Sequence, residues 1–318
     1  MKKLSIILSI VVSLAFVGCT SVSESCKQQT LNVCQFNLRY NPPNDGKVIK
    51  RFKDTKTGKI KVVWDGSQPW EKRMPLVVDY LRYNEVDVCG TQELSNKQIA
   101  VMMKAMPEYK QFGIETGGAP HNNVIVYKPQ RLDLLEKGVF WLSETPEKSS
   151  RGFGAHAPRN CNWGKFKDKI TGKEFYLFNT HYHHIGDSVR DKSSELMIKK
   201  IREIAGDNTF FMMGDLNAIE NSNAIQMLKK SGFMIDARSV CKTKIYGSKF
   251  TNNFAYTGRS FLEYPSVDKS RGKVPMCWID WVFVSKNVEV LKYAVHSECY
   301  DGVWLSDHFP LLLKVNIK

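Results

Sequence analysis

The sequence has little glycine and proline, with 21 Gly and 12 Pro in 318 residues, which excludes a collagen-like or low-complexity chain. It has no Cys-x-x-Cys pair and no Cys/His spacing typical of a zinc site. It also lacks internal repeats and any linker long or polar enough to divide residues 31–318. The composition that remains, 42% hydrophobic and 25% charged, is typical of a globular protein. We therefore predict one domain over residues 31–318.

Long apolar runs are scarce, and the one of note covers residues 4–17, between Lys3 and the pair Gly18-Cys19. At about 14 residues it is too short to span ~30 Å of hydrocarbon, so it predicts a secretory signal. Residues 14–19 resemble a bacterial lipoprotein signal. This resemblance implies a signal peptide over 1–19 that ends at a lipidated Cys19, followed by a polar tether over 20–30. It also implies that the membrane is a partner, bound through the N-terminal lipid anchor. The expected location is the bacterial cell envelope, facing the periplasm or the outside, with cleavage without lipidation as the alternative.

Cysteine occurs eight times, and seven thiols remain once Cys19 is assigned to lipid, so they cannot all pair. Cys34 and Cys89 lie inside apolar, strand-like runs, which predicts small buried thiols. A disulfide among Cys241, Cys277 and Cys299 is left open by the sequence.

Acidic residues are in the minority, with 32 Asp and Glu against 46 Lys and Arg, a formal net charge of +14. Two stretches, 44–63 and 242–273, each hold seven basic and two acidic residues, and aromatic residues are interleaved in the second. Such an excess favours anionic partners such as nucleic acid, phosphorylated metabolites or acidic lipid, with a merely soluble surface as the alternative. We read both stretches as long irregular segments, and we predict that residues 47–61 form a basic flap over a polyanionic substrate.

Alternation of apolar and polar residues predicts strands, and apolar spacing of three and four predicts helices. The strands are predicted at 31–36, 86–90, 123–127, 139–142, 174–180, 209–213, 278–284 and 311–317, and the helices at 70–83, 98–106, 193–204 and 223–228. Strands and helices interleave, yet several strands follow one another directly. Two sheets packed face to face, with helices outside, fit this order best.

Polar side chains follow six of the apolar strand-like runs, where each run ends. They include Asn37, Glu93, His181, Asp215 with Asn217, Asp280, and Asp307 with His308. One polar residue after a strand is usually a turn former or a helix cap. Carboxylates converging from several strands would repel one another unless a cation offsets their charge. Oxygen ligands without a thiolate cluster favour Mg²⁺ or Mn²⁺ over zinc.

This ordered set of residues resembles the endonuclease/exonuclease/phosphatase family, the metal-dependent phosphoesterases with the deoxyribonuclease I-like fold. The resemblance covers nearly all of residues 31–318 and includes GDLN at 214–217 and SDHFP at 306–310. The bacterial secreted or lipoprotein members also share FWLSETP at 140–146, PR and NW within 158–163, and FNTH at 178–181. The implied fold is α/β, a four-layered α/β sandwich of two mixed β-sheets flanked by helices.

The resemblance implies that Asn37, Glu93 and Asp307 are metal ligands for Mg²⁺ or Mn²⁺, with Glu93 the principal one. His181 resembles a phosphate-contacting histidine, in some members assigned as the acid that protonates the leaving oxygen. Arg159 occupies the place of a Pro-Arg pair in this branch and would clamp the phosphate.

Four further residues would carry the catalytic step. Asp215 resembles the residue that activates or positions the attacking water, and Asn217 the amide that orients this water and the phosphate. His308 resembles a histidine that stabilises charge in the transition state, and Asp280 would orient it and favour its protonated form. Hydrolysis of a phosphate ester needs positioning and charge neutralisation more than covalent chemistry, so these residues form a sufficient set.

Three substrate classes remain open from the sequence. The first is a polyanion such as nucleic acid or an oligonucleotide, favoured by the net charge and the basic stretches. The second is a phospholipid or sphingolipid headgroup or a sugar or inositol phosphate, favoured by the expected membrane tether. The third is a binding protein that retains the fold without catalysis. We predict an anionic phosphate-ester substrate, cleaved as a phosphodiester or a phosphomonoester, and no protein partner.

Overall fold

A computed structural model of the chain describes residues 29–41, 49–53, 60–64, 68–113, 121–252 and 277–318, with backbone alone for 49–53 and 60–64. The predicted signal peptide and most of the tether lie outside these residues, as does most of the basic stretch 242–273, so those interpretations stay predictions. Among the described residues, no helix combines the length and apolar character needed to cross a bilayer.

The strands are short, and most of them belong to two large sheets. In chain order they are β1 (Leu31–Asn37), β2 (Ile49–Lys53), β3 (Ile60–Trp64), β4 (Val88–Leu94), β5 (Lys110–Phe112), β6 (Asn122–Tyr127), β7 (Leu132–Trp141), β8 (Asn160–Asp168), β9 (Glu174–His181), β10 (Phe210–Asp215), β11 (Ile235–Asp236), β12 (Tyr246–Gly247), β13 (Asp280–Val284), β14 (Val288–Val295), β15 (Cys299–Tyr300), β16 (Val303–Trp304) and β17 (Leu311–Ile317). The first sheet has the order β12-β14-β17-β1-β4-β6-β5 and the second β11-β13-β10-β9-β8-β7.

Within the described part of the chain, four helices flank the sheets: α1 (Trp70–Tyr83), α2 (Asn96–Ala105), α3 (Asp187–Ala205) and α4 (Asn223–Lys230). Local sequence signals fix where α2 and α4 begin. Ser95 and Gln98 form a capping box, in which each side chain bonds the other residue's backbone N–H, and Ser222 accepts from the backbone of Ile225. These side chains satisfy N–H groups that a helix leaves unpaired in its first turn.

The hydrophobic core has three parts, which define four layers. The largest part lies between the two sheets and includes Val33, Phe175 and Leu313. A second part buries α3 and α4 against the outer face of the second sheet, and a third buries α1 and α2 against the first sheet. This is the predicted α/β sandwich of two mixed sheets, so the fold prediction is confirmed.

The structure adds strands that the sequence pattern did not reveal. The predicted set lacks β8, where buried Asn160 and Asn162 occupy positions that apolar residues would normally mark. It also lacks β14, because a bulge between Val290 and Lys292 interrupts the two-residue period of burial. Residues 44–63 are not irregular throughout as we expected, since β2 and β3 form an antiparallel hairpin there.

The cysteines within the described residues are all free thiols. Cys34 and Cys89 are fully buried beside each other on β1 and β4, as predicted. Cys241, Cys277 and Cys299 form no disulfide, which answers the question that the sequence left open.

Candidate active site

The topology brings the polar strand ends to one edge of the sandwich. In the first sheet β1 and β4 run parallel, and both end there, at Asn37 and close to Glu93. In the second sheet β9 and β10 run parallel, and their last residues, His181 and Asp215, are register partners. The antiparallel strand β13 begins at the same edge, with Asp280 opposite Asp215. The predicted residues therefore come together because parallel strands place their carboxyl ends on one side.

Asp215 lies at the centre of this group and is 2% exposed. Its Oδ2 accepts a hydrogen bond from Asn37 Nδ2 at 3.0 Å and lies 3.4 Å from His181 Nε2 and 3.6 Å from His308 Nε2. Its Oδ1 accepts from the backbone N–H of Asn217 at 2.9 Å. Burial raises the pKa of Asp215 to about 7, even though His308 opposes that shift. A carboxylate with a pKa near neutrality is suited to accept and release a proton.

Asp280 and His308 form a buried pair. Asp280 Oδ2 lies 2.7 Å from His308 Nδ1, and Asp280 Oδ1 accepts from Gln35 Nε2 at 2.9 Å. Burial favours the neutral ring, but Asp280 and then Asp215 outweigh it and raise the pKa of His308 well above its ordinary value. The backbone N–H of Asp280 donates to Thr251 Oγ1 at 3.0 Å, which fixes the start of β13. His308 is thus held as a cation whose Nε2 faces Asp215.

His181 has the opposite electrostatic character. Burial first, and then the positive charge of Arg159, lower the pKa of His181 well below its usual value. Arg159 Nη1 lies 3.0 Å from His181 Nδ1, and because an arginine can only donate, Nδ1 accepts and the ring proton resides on Nε2. Asn217, whose backbone has a φ of 48°, donates from its amide to the carbonyl of Tyr182 and lies 3.1 Å from His181 Nε2.

The three predicted metal ligands take different positions around the group. Glu93 has a φ of 69° where β4 is irregular against β6, and its Oε1 accepts from Asn37 Nδ2 at 3.1 Å. Asn37 Oδ1 accepts from the backbone of Arg39, so its amide nitrogen faces the carboxylates. Asp307 Oδ2 pairs with Arg39 at 2.9 Å. Burial opposes the charge of Asp307, but His308 and Arg39 lower its pKa.

The donor set fits a divalent cation. Ligand atoms of Glu93, His181 and Asp215 all lie within 4.8 Å of one another. Two of these residues are carboxylates that line a cavity. The pKa of Asp215 is raised because burial removes water from its negative charge and the neighbouring positive charge does not fully compensate. An oxygen-rich set of this kind suits a hard cation, while His181 offers Nε2 only in the tautomer that Arg159 opposes.

A buried amide network behind the site was not predicted from the sequence. Gln35 and Gln92, on the paired strands β1 and β4, exchange hydrogen bonds through their side chains at 2.8 and 2.9 Å. Gln92 also donates to Asn179 Oδ1 at 2.6 Å, and Asn179 donates to the carbonyl of Thr91. Asn179 lies on β9, so the network joins the two sheets. All three amides are fully buried. The polar strand ends marked the site, but no sequence spacing marks amides that meet across sheets.

Gly214 precedes Asp215, and the packing explains why a glycine stands there. A Cβ on Gly214 would lie 2.0 Å from the carbonyl oxygen of Thr180 on the neighbouring strand. We expect Gly214→Ala to lower the free energy of unfolding by about 3 kcal/mol or more, since backbone would have to move. Urea unfolding followed by circular dichroism measures the change. Gly232→Ala, where no atom lies within 4 Å of the Cβ but φ is 82°, is the control and should cost about 1 kcal/mol. Equal losses for both variants would contradict the steric explanation.

A cavity of about 590 Å³ opens over these residues. Its lining includes Glu93, His181, Asp215 and His308 and continues over a wall formed by the start of α3 and the segment between β10 and α4. Arg159 lines it, and its Nε has no hydrogen-bond partner among the described residues. A buried, unpaired guanidinium N–H beside a cavity is placed to bind an anionic oxygen. The arrangement therefore provides two carboxylates for a cation and cationic donors for a phosphate.

Comparison with known proteins identifies the family. A family model described as "Endonuclease/Exonuclease/phosphatase family" matches residues 34–308. The chain belongs to the endonuclease/exonuclease/phosphatase family. As a member it is a metal-dependent hydrolase that acts on phosphoester bonds, as the sequence resemblance predicted.

Solved structures of bacterial family members are similar over almost their whole length. A family protein from Bacteroides thetaiotaomicron is 29% identical with a TM-score of 0.74, and the match covers 91% of this chain and 98% of that one. A mannosyl-6-phosphatase from the same bacterium is 29% identical with a TM-score of 0.72, covering 90% and 99%. A protein of Acanthamoeba polyphaga mimivirus is 25% identical over 266 residues, which is 77% of this chain and 91% of the viral one.

Proposed function

We propose that this family member hydrolyses a phosphate ester by in-line attack of water, in a reaction that depends on Mg²⁺ or Mn²⁺. The observation that carries this proposal is the position of Asp215 between the cationic His308 and the neutral His181, beside Glu93. Glu93 and Asp215, with Asn37 and Asp307 close by, would hold the metal. The ligand role of Asn37 requires its amide to present the oxygen to the cation. When bound, the metal offsets the charge of the phosphate and of the carboxylates.

The protein side chains supply the remaining steps. Asp215 is placed to accept a proton from the attacking water, because its carboxylate lines the cavity between His181 and His308. His308, kept protonated by Asp280, contacts the phosphate, stabilises the charge that develops on it and is the better proton source for the leaving oxygen. His181 is neutral and carries its proton on Nε2, so we assign it a hydrogen-bonding role toward the phosphate. Arg159 and Asn217 would orient the phosphate and the water.

We propose a phosphomonoester of a small neutral alcohol, such as a sugar, as the substrate. Among the residues described, four carboxylates line the cavity beside Arg159, Arg190 and the protonated His308, so its walls lack the excess of positive charge that a polyanion site requires. The similarity to a mannosyl-6-phosphatase over nearly all of both chains supports the same class. The second candidate is nucleic acid or another polyanion, which is favoured by the basic residues of 44–63 and 242–273.

Removal and return of the metal tests this function. We expect EDTA to reduce hydrolysis of p-nitrophenyl phosphate and mannose 6-phosphate to the uncatalysed rate, and Mg²⁺ or Mn²⁺ to restore it, because Glu93 and Asp215 need a cation. Release of phosphate or nitrophenol is the measurement. Bis-p-nitrophenyl phosphate and single-stranded DNA, assayed in parallel, test the second candidate. Activity that is insensitive to EDTA, or none on any of these substrates, would contradict the proposed function.

A further inference from the structure

The cavity extends beyond the catalytic residues to a wall that none of the steps above uses. The first turn of α3 contributes Asp187 and Arg190 to this wall. The segment after β10 contributes Ala218 and Ile219, and Ser222 stands at the start of α4. This wall and the residues at the strand ends line the same cavity, so the leaving group of a phosphate held at the strand ends can reach the wall.

Asp187 and Arg190 form an ion pair, with Arg190 Nη2 donating to Asp187 Oδ1. The two side chains differ in exposure, since that of Arg190 is 12% exposed and that of Asp187 is 87% exposed. Arg190 Nη1 also donates to the carbonyl of His183 at 3.3 Å, which anchors the guanidinium to the chain. The arginine is thus held in place, and the carboxylate, although paired with it, keeps most of its surface open to solvent at the cavity wall.

The other side of the wall is apolar. Ile219 lines the cavity and is 49% exposed, so its aliphatic side chain is open to a ligand in the cavity. Ala218 and Ile279 continue this surface. A sugar or a cyclitol has an apolar ring face and a rim of hydroxyl groups, so it matches a wall with one aliphatic side and one charged, hydrogen-bonding side.

We propose that Asp187 and Arg190 form a subsite that recognises the hydroxyl groups of a neutral leaving group while Ile219 packs against its ring. This inference rests on the proposed phosphoesterase function and assigns the part of the site that selects the substrate. A carboxylate accepts hydrogen bonds from two neighbouring hydroxyls, and a fixed guanidinium donates to a third oxygen.

The same pair would select against anionic leaving groups. A second phosphate on the leaving group would face the Asp187 carboxylate, and the repulsion would outweigh the attraction of an arginine that is already paired. The subsite therefore favours monophosphates over bisphosphates and over a nucleic-acid chain, in which the next phosphate follows the reacting one.

Asp187→Asn, compared with the wild-type chain, tests this subsite on four substrates. Mannose 6-phosphate and myo-inositol 1-phosphate offer the same hydroxyl chemistry from a sugar and from a cyclitol. Fructose 1,6-bisphosphate adds a second anionic group, and p-nitrophenyl phosphate has no leaving-group hydroxyl. Asp207→Asn is the matched control, since it makes the same change at an exposed position just beyond the other end of α3. Both kcat and KM are measured with saturating Mg²⁺.

For Asp187→Asn, we expect kcat/KM for the better of the two hydroxylated substrates to fall by about 10- to 100-fold, mainly through KM, because a charge-assisted hydrogen bond is lost. The ratio of kcat/KM for fructose 1,6-bisphosphate to kcat/KM for that hydroxylated substrate should rise. Arg190→Lys, which keeps the charge but loses the planar fork, should shift the same ratio in the same direction. Asp207→Asn should leave every ratio unchanged.

Equal effects of Asp187→Asn on all four substrates would overturn the subsite while leaving the hydrolytic function intact. Unchanged kinetics with both Asp187→Asn and Arg190→Lys would also overturn it. A wild-type chain without metal-dependent hydrolysis of p-nitrophenyl phosphate would instead overturn the proposed function, and the subsite with it. Thermal melting of each variant separates a binding effect from a loss of folded protein.

Discussion

Asp215→Asn is expected to lower kcat by about 10⁴-fold, since it removes the carboxylate that we propose as proton acceptor and metal ligand. The substitution is nearly isosteric, and the amide oxygen can still accept from Asn37 or from the backbone of Asn217. The measurement is phosphate release under saturating substrate and Mg²⁺. A loss of less than about 10-fold would contradict the role of Asp215 as the base.

The same substitution should not destabilise the metal-free protein. A carboxyl group whose pKa is raised in the folded state weakens folding at a pH above its unfolded pKa, because the charged form is disfavoured by burial. Asparagine removes this cost at neutral pH, so the melting temperature without metal should equal or exceed that of the wild type. Added Mg²⁺ should raise it less than in the wild type, because a ligand is missing.

Asp168→Asn provides the contrast, because Asp168 is also buried but is paired. Its Oδ2 accepts from Arg131 Nη2 at 2.9 Å and from Thr171 at 2.7 Å, far along β8 from the site. Removing that charge takes away the carboxylate that neutralises the buried Arg131 guanidinium, so stability should fall by about 3 kcal/mol while kcat of the folded protein is unchanged. If Asp215→Asn lowered the melting temperature as much as Asp168→Asn does, Asp215 would have a structural role.

Asp280→Asn is expected to lower kcat by about 10³-fold, although Asp280 itself contacts neither water nor phosphate. The carboxylate of Asp280 holds the charge on His308 through a 2.7 Å contact to Nδ1. Asparagine keeps the shape but removes the negative charge, so the protonated ring becomes costly and its orientation is lost. Steady-state kinetics should show the loss in kcat with little change in KM.

A double-mutant cycle makes this prediction specific. If Asp280 acts through His308, the double variant Asp280→Asn/His308→Ala should have nearly the same kcat as His308→Ala alone. Additive losses would show that Asp280 affects the reaction by another route, for example through Gln35, which donates to its Oδ1.

Much of this site could be predicted because function imposes a local pattern on the sequence. The apolar strands β1, β4, β9 and β10 reach this edge with an amide, a carboxylate or an imidazole at or next to their last residue, as in GDLN. Two of the predicted strand ends were wrong in detail, since Asp280 begins β13 and SDHFP precedes β17. The family resemblance then gave the order of the layers. Helix α1 was predicted with its observed bounds, since its apolar spacing is regular from residue 70 to 83.

The remaining features depend on contacts between residues far apart in the chain. The tautomer of His181 is set by Arg159, which lies 22 residues away, just before β8, and no sequence spacing predicts that contact. Strand β8 carries asparagines on its buried face because they bond Asn123 across the sandwich. The cavity wall at Asp187 depends on the position of the first turn of α3 beside the cavity, which the sequence pattern does not encode. A prediction based on hydrophobic periodicity assigns a segment with buried polar residues to a loop.

The amide network of Gln35, Gln92 and Asn179 gives catalysis a dependence on the docking of the two sheets. The first sheet brings Asn37 and Glu93, and the second brings His181, Asp215 and Asp280, so neither half holds a complete set. Directional hydrogen bonds across the interior fix the relative height of the halves in a way that hydrophobic contacts alone do not. The candidate active site therefore depends on the alignment of the two sheets. The loops at its rim can change, and the preferred substrate with them, without disturbing that alignment.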